Sequence, residues 1–291
     1  MNVHSYSLSR NSNQQVKKPV LVFFLLATAL ITPFWLLGMT GLQLGHGLPI
    51  AALAFPCPML AAAIMTYRQR GRDGVLTLLR RSLDFRRTTN KSWYALALAF
   101  MPLATALSLL LLPVVGKPLP ALHVEVLPIL SLSVVFFIAA LGEELGWSGY
   151  ALQPLQDRLG ALRASLILGL FWAAYHYVGL FQANRSITWI AWWTLATVMT
   201  RIIMVWLFNK IGHSVLAMAI FHMTLNTTWQ ITPVTGSSVD PYPQLMAIIL
   251  TMFVLIILMT KQLQYHRSFL FALLREYRVA KIVRRSGGTK R

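Results

Sequence analysis

The sequence predicts an all-α membrane protein, a polytopic transmembrane helical bundle of about eight spans with both termini cytoplasmic. Three observations carry that prediction. Of 291 residues, 56% are hydrophobic and only 12% are charged, about half the charged share of an ordinary soluble domain. Apolar runs of about 18 to 25 residues, enough to cross a hydrocarbon core of roughly 30 Å as helix, recur along the chain. Lys and Arg cluster between these runs and favour alternate sides of the bilayer, as cytoplasmic retention of positive loops requires.

The elements follow in order. A polar, basic arm over residues 1–19, with Arg10, Lys17 and Lys18, precedes the first span at 20–38. That span is too long for the apolar core of a signal peptide and no small-residue cleavage pattern follows it, so secretory processing is not expected. The second span, 48–67, contains the single cysteine, Cys57, which excludes an internal disulfide and a thiolate metal cluster. A loop from Arg68 to Lys91 then carries eight Lys and Arg residues. Further spans are expected at 93–115, 127–155, 163–182, 187–208, 212–231 and 243–260, the fourth interrupted by Glu143 and Glu144. Backbone in lipid must satisfy its own hydrogen bonds, so the spans are helices. The loops after the fourth and sixth spans hold Arg158, Arg163 and Lys210, whereas the opposite side holds only Lys117 and Arg185. Residues 20–260 form one domain. The tail, 261–291, mixes nine basic residues with apolar ones such as Phe269, Leu273 and Tyr277, which suits a helix lying on anionic lipid or an ordinary basic flank.

The net charge of +18 would suggest nucleic acid if it covered a soluble face. Interspersed with apolar spans it does not, and no nucleic-acid partner is expected. The expected partners are membrane lipids and a peptide or protein substrate with a membrane-associated segment. A compact basic chain of this kind suits a multi-pass protein of a bacterial inner membrane.

An ionisable side chain at the centre of a span costs on the order of 3 kcal/mol, so each one calls for a reason. Glu143 and Glu144 are the acidic residues inside spans, and His176 and His222 are the histidines there. Asn226 follows His222 by four residues, which places both on one helix face. Measured from the cytoplasmic charge that bounds each span, both glutamates and both histidines lie roughly 20 Å deep at 1.5 Å per residue. A common level is what one site built from three helices requires. Two carboxylates, two imidazoles and an amide in a dry cavity suit peptide hydrolysis. A carboxylate takes a proton from water and returns it to the leaving amine, while imidazole and amide N–H groups stabilise the oxyanion. The same donors could instead hold a divalent metal such as zinc with a position open for water. A proton shared between Glu143 and Glu144 is a further expectation.

These motifs resemble the CAAX protease and bacteriocin-processing family, also called the Abi family, of intramembrane proteases. The first reads Glu143-Glu144-Leu145-Gly146-Trp147-Ser148-Gly149-Tyr150, with Ser148 where the family usually carries arginine. The second places Trp172 four residues before His176, and the third is His222 with Asn226. The resemblance covers about residues 136–228 and implies that Glu143 activates water, assisted by His176, while His222 and Asn226 form the oxyanion site. Glu144 would be a coupled partner. If the usual arginine braces the glutamates, this chain must brace them otherwise or have lost activity. Arg201, in the sixth span, reads as a snorkelling or paired residue that could supply that charge.

Three other readings compete. Gly146-Trp147-Ser148-Gly149 is similar to the nucleophile motif of rhomboid serine intramembrane proteases, which would make Ser148 a nucleophile with His176 or His222 as base. A proton-coupled transporter also uses intramembrane carboxylates and histidines, but usually with broken helices in matched halves. An inactive membrane scaffold or immunity-type protein would keep the fold alone.

Overall fold

A computed structural model describes residues 4–42, 44, 50–88, 90–120, 125–232 and 243–260. Among them no β-strand occurs, and long helices follow one another as the apolar runs require. In chain order these are α1 (His4–Gly38), α2 (Cys57–Arg80), α3 (Ser92–Leu110), α4 (Val126–Gly146), α5 (Leu152–Gln182), α6 (Ile187–Lys210) and α7 (Val215–Ile231). The last, α8, is Pro243–Thr260. Contacts divide the chain at Leu250. The first unit holds α1 to α7 and the start of α8, and the described part of the second is the rest of α8. The expected interfacial tail, 261–291, lies outside the described residues.

The protein is an all-α, multi-pass membrane protein, but length and composition give six candidate spans among the described residues rather than eight. Two differences account for this. The expected fourth and fifth spans form one stretch, Val126–Gln182, of 57 residues; at 1.5 Å per residue it would reach roughly 85 Å if straight. It is not straight, because Gly160 breaks the helical path with φ 76° and ψ 164°, a conformation open to glycine at little steric cost. The other difference is α7, which at 17 residues is short for a bilayer crossing.

The loop expected from Arg68 is also partly helical. Helix α2 continues past a non-helical Gly71 to Arg80. Two short 3₁₀ turns, Arg81–Leu83 and Phe85–Arg87, follow. This stretch still carries apolar residues, and Leu78 is buried among its neighbours.

The packing centres on α4, which lies against α7 and α2, while α7 also packs on α3 and α5 on α6. Close approach to α2 depends on two small residues flanking the glutamates. A side-chain carbon at Gly146 would sit 2.6 Å from the backbone C and O of Pro58, and one at Gly142 2.9 Å from the Phe55 carbonyl oxygen. Small residues at such spacing let helix backbones meet, and in lipid that packing drives association. Asp84 fixes the start of α7. Its carboxylate accepts hydrogen bonds from Ser214 Oγ at 2.6 Å and from the backbone N–H groups of Val215 and Leu216 at 3.1 and 3.3 Å. Ser214 Oγ in turn accepts from Ala217 N–H, so side chains satisfy the otherwise unpaired donors of the first helical turn.

Candidate active site

Helix α4 ends in a π-helical turn, Trp147–Ala151, before α5 begins. Such turns are rare and recur at functional sites. In this one, two side chains reach back one turn to the glutamates: Trp147 Nε1 donates to Glu143 Oε2 at 3.2 Å, and Ser148 Oγ donates to Glu144 Oε2.

Glu144 is fully buried and its charge is matched. Arg201, from α6, is also fully buried. Its guanidinium grips the carboxylate through two parallel hydrogen bonds, Nη1 to Oε2 and Nη2 to Oε1, both 3.0 Å. That fork-on-fork geometry, two parallel charge-assisted hydrogen bonds, is stronger than a single neutral one and fixes the carboxylate's orientation. His222, from α7, adds a contact from Nδ1 to Oε1 at 3.2 Å. Three helices therefore converge on one carboxylate.

Glu143 has a different environment. Besides Trp147, Trp172 Nε1 from α5 donates to its Oε2 at 3.1 Å. Its other oxygen accepts no hydrogen bond among the described residues, and the residue keeps 9% of its surface exposed. No hydrogen bond joins the two glutamates among the described residues, and each carboxyl has its own partners.

Trp172 is the hub between the two. Its ring lies under the Arg201 guanidinium, 4.2 Å from the carbon Cζ to the centroid, a cation–π contact. It also meets the His222 ring edge-on at 5.1 Å and the His176 ring at 6.0 Å. His176 is held by a hydrogen bond between Nδ1 and the Trp172 carbonyl at 2.7 Å, and packs on Trp193. Asn226, half-buried one turn beyond His222, makes no side-chain hydrogen bond among the described residues.

Of the five residues expected at the site, Glu144 and His222 are in direct contact. Glu143 joins them through Trp172. His176 adjoins that tryptophan without a hydrogen bond to either glutamate among the described residues. The sequence reading missed Trp147 and Trp172 as carboxylate donors, although both stand in the quoted motifs. It named Arg201 as paired without a partner, and no spacing rule connects residues 144 and 201.

The donor set does not fit a metal ion. Among the described residues no three His, Cys, Asp or Glu side chains group as ligands, and the best carboxylate is already occupied by a guanidinium. The Ser148 hydroxyl donates to Glu144 and to neither histidine among the described residues. Its side chain is buried.

Fold and site together define a multi-pass helical membrane protein enclosing a buried carboxylate, guanidinium and imidazole cluster. Residues 125–228 match the model of the Rce1-like family, described as type II CAAX prenyl endopeptidase Rce1-like. The matched segment contains every site residue described above. The chain is also 31% identical over 109 residues to a CAAX prenyl protease 2 of Methanococcus maripaludis. That alignment covers 35% of this chain and 40% of the relative.

Proposed function

We propose that the protein is an intramembrane endopeptidase that hydrolyses a peptide bond with water activated by Glu143. The observation that carries the proposal is the separation of the two carboxyls. Glu144 is locked by Arg201 and His222, whereas Glu143 keeps one oxygen without a hydrogen bond among the described residues. Adjacent acids in unlike environments are the arrangement by which one acid does chemistry and the other holds charge.

In this reading Glu143 takes a proton from water as it attacks the carbonyl carbon. It then delivers that proton to the leaving nitrogen as the C–N bond breaks. Two indole N–H groups keep the second oxygen fixed, so the carboxylate does not swing. His176 orients the water, and the Asn226 amide donates to the oxyanion together with His222. With Nδ1 directed to Glu144, His222 donates through Nε2 when both ring nitrogens carry protons. Arg201 and Glu144 offset each other, which leaves the developing oxyanion without a facing carboxylate.

The substrate carries a membrane-associated segment. The relative's name makes a prenylated CAAX C-terminus the first class to test, ahead of a bacteriocin leader. The test is cleavage, by the full chain in liposomes, of an internally quenched farnesylated peptide ending in a CAAX box. Glu143→Gln is expected to lower kcat by about 100-fold or more, the usual worth of a positioned acid–base group. Undiminished cleavage by a folded Glu143→Gln protein would overturn the assignment.

A further inference from the structure

We infer that Arg201 is a positioning residue that sets both carboxylates at once, and that the site needs its guanidinium rather than its place in α6. The inference rests on the proteolytic reading above. Two routes leave the same planar group. Along its edge, Arg201 fixes both oxygens of Glu144. Across its face, it stacks on Trp172, whose indole N–H holds Glu143 Oε2. A shift of the guanidinium therefore moves the general base through the ring, although Arg201 makes no bond to Glu143 among the described residues.

The fold is built to admit this side chain. Helix α5 presents Gly169 to α6, where any side-chain carbon would lie 3.2 Å from Arg201 Cβ and from Val198 Cα. A residue larger than glycine would require Arg201 or the α6 backbone at Val198 to give by a few tenths of an ångström. Ser148 supplies the second observation. It lies one turn after Glu144, and its hydroxyl bonds Oε2, the oxygen that Arg201 Nη1 also binds. A guanidinium carried on residue 148 would thus approach the same carboxylate from α4's own π-turn once the space of Arg201 is released.

The experiment compares Arg201→Met, Arg201→Lys, Trp172→Phe and the double variant Ser148→Arg/Arg201→Met, as full chains in nanodiscs, on the farnesylated quenched peptide. Arg201→Met is expected to lose about 100-fold in kcat, as a misplaced catalytic group does, with KM within about twofold because substrate contacts are intact. The double variant should recover about tenfold of that loss or more. Arg201→Lys keeps the charge but not the fork or the stacked plane, so it should fall with the same split, as should Trp172→Phe, which loses the indole N–H and part of the stacked ring.

Infrared spectroscopy gives a readout free of activity. Arg201→Met should gain a protonated-carboxyl band that is absent from wild type and vanishes in Arg201→Met/Glu144→Gln. Wild-type kcat in folded Arg201→Met overturns the inference. So does wild-type kcat in Arg201→Lys if the methionine variant fails to fold. In either case a dead Glu143→Gln protein leaves the proteolytic reading standing. If instead Glu143→Gln cleaves like wild type, that reading fails, and the infrared band alone decides whether Arg201 holds Glu144 ionised: its absence from Arg201→Met overturns that role as well.

Discussion

Adjacent residues on an α-helix point about 100° apart, and Glu143 and Glu144 use that angle to meet different helices. The difference predicts opposite consequences for similar substitutions. Glu144→Gln leaves the fully buried Arg201 without a counter-charge, and breaking such a pair costs about 3–5 kcal/mol. Glu143→Gln keeps an amide oxygen to accept from Trp147 and Trp172, so its cost should stay below about 1.5 kcal/mol. Thermal unfolding in one detergent checks both, and equal destabilisation would contradict the partner assignment. At this scale the sequence was informative because intramembrane acids and imidazoles are expensive and therefore rare. It was silent on Trp147 and Trp172, because tryptophan in a span is ordinary and nothing in its spacing marks an indole N–H as a carboxylate ligand. Arg201 was visible as an anomaly, but its partner lies on another helix and only folding brings the two together.

Among the elements, α7 and the π-turn position the most chemistry. Helix α7 carries His222 and Asn226, and its first turn is tied to Asp84, which belongs to the connection between α2 and α3. Asp84→Ala removes the acceptor for two backbone N–H groups and Ser214 Oγ, together with an anion at the positive end of the helix. The expected loss is about 1–2 kcal/mol of stability, with faster hydrogen exchange at the Val215 and Leu216 amides than at mid-helix. Unchanged exchange there would show that α7 is held by its packing alone. The helices themselves were legible as apolar runs, and the break within Val126–Gln182 coincides with the charged stretch that separated two expected spans. The anchoring of α7 was not, because Asp84 reads as one more loop acid. Neither was the π-turn, since an extra residue in a helical turn leaves no periodic trace over five positions. The continuation of α2 to Arg80 was hidden by its charge, which marks a cytoplasmic face but does not forbid a helix.

For the whole molecule, composition and basic clustering made the membrane class plain, and three short motifs singled out Glu143, Glu144, Trp172, His176 and His222, which the structure brings near one another. The match over residues 125–228 covers α4 to α6 and most of α7, and so includes both glutamates, Trp147, Trp172, Arg201, His176 and His222. The chain outside that segment contributes packing, such as the seat of α2 against Gly142 and Gly146, and the anchoring carboxylate of Asp84. In the proposed mechanism water attacks the peptide directly, with Glu143 as base and no covalent intermediate. Rapid-quench sampling of the first turnover, read by intact-protein mass spectrometry, tests it most directly. Product should form without a burst, and no peptide adduct should be found on the protein at any time. A stoichiometric burst with an acyl adduct on Ser148 would contradict it and establish the serine mechanism in its place.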